Sequence, residues 1–269
     1  MSEVQRAEIT LKPVVYRIEG MEAAAIRRNV VYQTNGGDLT MDAYYPSDFR
    51  NGERRPAVIL VVGYSDVGAQ AKVGCKFKEM ESLISWSRLI AACGLIAITY
   101  NNREPAEDFA AVSRYVRENA ETLGVDATRL GLWASSGNSP LALSALMQDS
   151  AKPIQCAAFF YPFLLDLDGS ALVANASKTF KFVNPCAGKS VDDLPSGVPL
   201  FLARAGRDEF PGLNGTIDRF VCEGLEKNLP LTVVNHPTGP HAFDLLQDSA
   251  FSRSVVQQAL KFLQSHLDS

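Results

Sequence analysis

Short apolar runs alternate with longer segments whose apolar residues recur every three or four positions. Asn29–Thr34 and Leu39–Pro46 read as two strands around Asn35-Gly36-Gly37-Asp38, a hairpin turn whose residues tolerate positive φ. Ala57–Val62 is apolar throughout, as a strand covered on both faces requires. The pattern then predicts a helix over Phe77–Cys93 closed by Gly94, a strand over Leu95–Tyr100, and a helix over Glu107–Leu123. The last of these carries Phe109, Val112, Val116, Ala120 and Leu123 on one stripe. Strands follow at Arg129–Ala134, Ile154–Tyr161, Pro199–Ala205 and Leu231–Asn235. Between and after them, helices are expected over Ser139–Gln148, Gly215–Asn228 and Phe251–Leu267. This alternation predicts βαβ units and a mostly parallel sheet with helices on both faces, the initial hairpin adding antiparallel strands at one edge.

No repeat, low-complexity tract or Pro/Gly/Ser linker divides the chain, so residues 1–269 read as one domain. Residues 162–198 have weak periodicity and are expected to form a short lid-like insertion, since long connections in compact domains tend to serve binding.

Composition narrows the function classes. At 46% hydrophobic and 21% charged residues the chain has enough apolar surface for one large core, which excludes a disordered or fibrous protein. No stretch approaches the roughly 18 apolar residues of a membrane span. Met1–Thr10 is polar and mixed in charge, which predicts no signal peptide. The net charge is −4, and no Lys/Arg cluster interleaves with aromatics, so nucleic acid is not an expected partner. Cys75, Cys93, Cys156, Cys186 and Cys222 are widely spaced without a C-x-x-C pair. That spacing argues against a disulfide framework and a zinc site, and points to the reducing cytoplasm with no metal or cofactor. A homo-oligomer stays open.

The most informative segment is Arg129–Pro140, where a strand runs straight into a helix through Ala134-Ser135-Ser136-Gly137-Asn138. It is a variant of G-x-S-x-G, a turn so sharp that the residues two before and two after its serine nearly touch. A nucleophile at Ser136 puts Ala134 and Asn138 there; one at Ser135 would put the bulky Trp133 there, so Ser136 is preferred. The turn lifts the hydroxyl clear of the sheet and aims the Gly137 N–H at a developing oxyanion.

A serine hydroxyl needs a base, and the chain offers His236, His241 and His266. His241, in a loop between the last strand and the last helix, is favoured; His236 is the minority alternative. Asp208, following strand Pro199–Ala205, is the candidate acid, with Glu209 as its competitor. Val62-Gly63-Tyr64 follows another strand, and the Tyr64 N–H is the candidate second oxyanion donor. Tyr161 and Trp133 lie near the turn in sequence and are candidate substrate-binding residues, as are Tyr64 and Phe163 as pocket walls.

The order Ser136…Asp208…His241, with Gly239-Pro-His-Ala-Phe-Asp244, Ala205-Gly-Arg-Asp208 and Leu123–Trp133 around it, resembles the α/β-hydrolase superfamily, and within it the dienelactone-hydrolase-like and small serine esterase group. The resemblance covers nearly the whole chain. It implies an eight-stranded, mostly parallel sheet and a cofactor-free Ser-His-Asp hydrolase acting on small-molecule esters. Dienelactone hydrolases proper carry a cysteine nucleophile where this chain has Ser136. A peptidase or thioesterase using the same three residues, or a non-catalytic binding protein on this fold, are the alternatives.

Overall fold

In the computed structural model, residues 8–148 and 154–268 are described. Residues 1–7, which carry most of the segment read for a leader peptide, lie outside them. Eight strands form one sheet: β1 Ala25–Gln33, β2 Leu39–Tyr45, β3 Arg55–Leu60, β4 Ile96–Tyr100, β5 Val125–Ser135, β6 Ile154–Phe160, β7 Leu200–Ala205 and β8 Leu231–His236. Their order across the sheet is β1-β2-β4-β3-β5-β6-β7-β8. β1 pairs with β2 and β2 with β4 antiparallel, and every other pairing is parallel. The fold class expected from the alternating pattern is borne out, including the antiparallel hairpin at one edge.

Among the described residues the longer helices are α1 Asp66–Val73, α2 Glu81–Ala92, α3 Pro105–Glu118, α4 Ser139–Leu146, α5 Leu172–Phe180, α6 Leu213–Glu226 and α7 Ala250–Leu267. Every residue of β4 is buried, so helices cover both of its faces, whereas the outer strands β1 and β8 are largely open, with Tyr32 and His236 their buried residues. α2 and α7 are neighbours, joined by the Gln264 amide donating to the Cys93 carbonyl at 2.8 Å. One continuous core runs along the sheet. A smaller second cluster of Phe163, Val173, Phe182, Leu213 and Ile217 sits beside it.

Two expected helices are each interrupted. The segment 77–93 begins as a 3-10 turn at Phe77–Glu79, closed by the Glu79 carboxylate accepting the Lys76 N–H, and extended Met80 separates it from α2. The segment 107–123 breaks at Asn119 between α3 and the short turn Ala120–Leu123. Residues 162–198 form no detached flap. Cys186, Val191 and Leu194 join the main core, and Phe163, Val173 and Phe182 supply most of the second cluster. The Asp166 carboxylate fastens the start of α5 by accepting the N–H groups of Val173 and Ala174, both at 2.8 Å.

Among the described residues no helix is long and apolar enough to cross a membrane, and no group of three His, Cys, Asp or Glu side chains could hold a metal ion. All five cysteines are free thiols, and burial pushes those of Cys156 and Cys186 up to about 12.

Candidate active site

The C-terminal ends of the parallel strands meet along one edge of the sheet, and the candidate residues leave from them. β5 ends at Ser135 and enters the 3-10 turn Ser136–Asn138, which feeds α4. Ser136 itself adopts φ 52, a left-handed conformation that L-residues take only when their surroundings enforce it. Asp208 follows β7, and His241 follows β8. The two loops are bound together, because the Gly206 N–H donates to the His236 carbonyl at 2.8 Å and the Arg207 N–H to that of Gly239 at 2.9 Å.

Ser136, His241 and Asp208 form one hydrogen-bonded chain. His241 Nδ1 lies 2.7 Å from Asp208 Oδ2, and Ser136 Oγ lies 2.8 Å from His241 Nε2. An ionised carboxylate only accepts, so Nδ1 carries the proton, Nε2 is left as an acceptor, and the serine hydroxyl donates to it. The Asp208 side chain is wholly buried, and its other oxygen accepts the Phe210 N–H at 3.0 Å. Glu209, the competing acid, is exposed. His236 is only 1% exposed and its Nε2 pairs with the Ser252 hydroxyl at 2.9 Å. Burial holds its imidazole below the usual histidine value. His266 packs against Phe262 on α7. Neither of these two joins the chain.

The side of the site where Gly137 and Tyr64 are expected to donate is held by a contact absent from the sequence reading. The Asn138 amide oxygen accepts the Gly63 N–H at 2.8 Å, tying the loop after β3 to the serine turn. Gly63 allows this approach, since a Cβ there would sit 2.8 Å from the Gly137 carbonyl oxygen. The Val183 N–H donates to the Gly63 carbonyl at 2.9 Å, a bond in which the Tyr64 N–H takes no part. The Gly137 N–H belongs to the residue directly after the serine. The Tyr64 side chain lies over that residue, and a methyl group on Gly137 would run into the Tyr64 hydroxyl and the Phe182 ring.

Tyr161 and Trp133 fall elsewhere than expected. Trp133 is 2% exposed and packs in the core against Trp86 and Phe160, at 4.8 and 5.9 Å between ring centres. Tyr161 is 3% exposed and stands behind the histidine, its ring centre 4.6 Å from that of His241. Its hydroxyl donates to Asp244 Oδ1 at 2.7 Å, while Trp86 Nε1–H donates to Asp244 Oδ2 at 2.9 Å. Burial raises the Asp244 carboxyl above the usual carboxylate range against the pull of these two donors, and burial with Asp244 nearby pushes the Tyr161 phenol well up. Tyr161 therefore stays a neutral donor and braces the histidine loop.

The other face of His241 meets Phe210, 4.6 Å away between ring centres. Phe210 in turn touches Phe163 and Phe180, and Phe163 touches Phe182, which meets Tyr64. Residues 162–198 thus contribute an aromatic arch that runs from the histidine to the loop after β3. Only Phe163 of this arch's insertion residues was legible beforehand, through its closeness in sequence to β6.

No protein-family model matches the sequence, and no curated protein does. Solved structures match over nearly the full length. A thermophilic esterase from Thermogutta terrifontis aligns with a TM-score of 0.68 at 19% identity, covering 91% of this chain and 93% of its own. A thermostable esterase from Pseudomonas putida aligns at 0.72 and 14% identity, over 99% and 91%. One from Pyrobaculum calidifontis aligns at 0.64 and 17%, over 98% and 90%. The chain has the α/β-hydrolase fold. At this level of identity the likeness speaks for architecture alone.

Proposed function

We propose that this protein is a serine carboxylester hydrolase acting on small esters. The observation that carries the reading is the unbroken chain Ser136–His241–Asp208, at 2.8 and 2.7 Å. Ser136 Oγ attacks the acyl carbon while its proton passes to His241 Nε2. The N–H groups of Gly137 and Tyr64 face the oxygen that becomes negative. When the tetrahedral species collapses, the carbon–alkoxy bond breaks and the leaving oxygen takes the proton from Nε2, giving free alcohol and an acyl-serine. Water then attacks the acyl carbon, gives a proton to Nε2 and releases the carboxylic acid as Ser136 recovers its hydrogen. Asp208 holds the imidazole in the required tautomer and balances the charge of the transient imidazolium.

The Thermogutta terrifontis esterase has been solved phosphonylated by sarin and with propionate or butyrate bound. These ligands support short acyl groups and a nucleophile open to phosphorus electrophiles in this chain as well. We place it with the serine esterases rather than the cysteine-dependent dienelactone hydrolases, because a hydroxyl and not a thiol faces His241. Five unpaired cysteines fit a reducing, cytoplasmic setting. The test is direct: the purified protein is expected to hydrolyse p-nitrophenyl butyrate faster than a matched thioester or peptide, and to be labelled by a fluorophosphonate probe. Absence of both turnover and labelling sinks the reading.

Asn138→Ala offers a check on the oxyanion side. It leaves the buried Gly63 N–H without its acceptor, at a cost of about 1–3 kcal/mol in stability. It also frees the loop that presents the Tyr64 N–H, and kcat is expected to fall about 100-fold, the scale seen when one oxyanion donor is lost. Thermal unfolding and steady-state kinetics on the same preparation separate the two effects.

A further inference from the structure

A cavity of about 340 Å³ opens between α1, the turn at Phe77–Glu79 and the C-terminal end of α5. Val73, Phe77, Met80 and Phe180 give it an apolar wall, and among the described residues Lys72 and Lys181 are the charged ones that line it. Tyr64 forms the side nearest the nucleophile. Its ring stacks on Phe77 at 5.4 Å between centres, and its hydroxyl lies against Gly137, the residue after Ser136. The cavity thus adjoins the serine turn through Tyr64, and adjoins His241 through Phe180 and Phe210, whose rings meet at 5.2 Å between centres.

The charge of the cavity runs against that of the chain. The protein carries a net −4, yet among the described residues the lining holds two cations and no acid. Among the described residues the ion-paired lysines are Lys78, Lys189 and Lys227, and Lys72 and Lys181 form no ion pair there. The acids of the surrounding elements are turned to main-chain donors. Asp66 accepts the N–H groups of Phe77 and Asn102 at 2.7 and 2.8 Å, and Glu79 accepts that of Lys76 at 2.9 Å. Lys181 is fixed at its backbone: it closes α5 with φ 66, its N–H donating to the Ser177 carbonyl at 2.8 Å. The next residue, Phe182, pairs with Tyr64. An ammonium group at the rim of an apolar cavity favours an anion whose hydrocarbon body fills the space behind it.

We infer that this cavity is the subsite for an apolar arm ending in an anion, so that the preferred substrates are esters bearing a carboxylate or phosphate at the far end of a hydrocarbon chain. The inference rests on the hydrolase reading above and names its substrate class.

The experiment compares each charged ester with its neutral methyl-capped counterpart, using the p-nitrophenyl half-ester of adipic acid for the acyl side and 6-butyryloxyhexanoate for the alkoxy side. One of the two pairs is expected to show kcat/KM about tenfold higher for the charged member at low salt, expressed in KM. The pair that responds tells which arm enters the cavity. The ratio is expected to shrink in wild type at high salt, and to approach one in the Lys72→Met/Lys181→Met double variant. A ratio near one for both pairs in wild type, or a ratio that survives in the double variant, overturns the inference. If no ester is hydrolysed, the hydrolase reading fails by itself, and calorimetry with hexanoate against hexan-1-ol still decides the cavity. Tighter binding of hexanoate that is lost in the double variant supports the subsite, and equal binding of the two removes it.

Discussion

Ser136→Ala is expected to lower kcat for p-nitrophenyl butyrate by about 10⁴- to 10⁶-fold and to abolish fluorophosphonate labelling. The size follows from the loss of the covalent route: what remains is the rate that the oxyanion donors and binding alone supply to water. Ser135→Ala is the matched control. Ser135 is the last residue of β5, one position before the φ 52 turn that presents Ser136, and the hydroxyl within reach of His241 is that of Ser136. Its replacement is expected to leave labelling intact and turnover within about tenfold of wild type. If Ser136→Ala, with unchanged thermal unfolding, keeps wild-type turnover, the architecture stands and the proposed chemistry does not.

Asp208→Asn is expected to cost about 10⁴-fold in kcat with little change in KM. The amide is nearly isosteric, so the loop keeps its shape and the Phe210 N–H keeps an acceptor. Its NH₂ group, however, can face Nδ1 as a donor, which moves the imidazole proton to Nε2. The ring then opposes the serine hydroxyl with a hydrogen where it needs a lone pair. Glu209→Gln, on an exposed side chain outside the chain of hydrogen bonds, is expected to change kcat less than about threefold. Steady-state kinetics of the two variants decide which carboxylate the reaction uses. A larger loss in Glu209→Gln than in Asp208→Asn would reverse the assignment.

Much of the fold was legible because buried parallel strands are apolar at every position, and Ala57–Val62 and Leu95–Tyr100 read that way without help from neighbours. The three side chains that hydrogen-bond at the strand ends could be picked out for a related reason: each follows a strand at the same edge of the sheet. Periodicity failed where helices bury little. α1 hides only Asp66 and Ala69 and contains Gly68, so no stripe marks it, and α5 buries only Val173. Both line the cavity beside Tyr64, which left its shape unreadable. Trp133 and Tyr161 illustrate a different limit. Sequence closeness to the turn does not say which way a side chain faces, because successive residues of a strand point to opposite faces. The role of Asn138 is not legible in the sequence, since its partner, the Gly63 N–H, is 75 positions away.

The chain has two tryptophans, and they touch one another in the core. Excitation of either indole is thus shared across one spot beneath the sheet's working edge, where Trp86 also holds the Asp244 carboxyl. Selectively excited tryptophan fluorescence in this protein samples that spot: it follows collapse of the interior and is poorly placed to register loosening of the hairpin or of β8 at the outer margins.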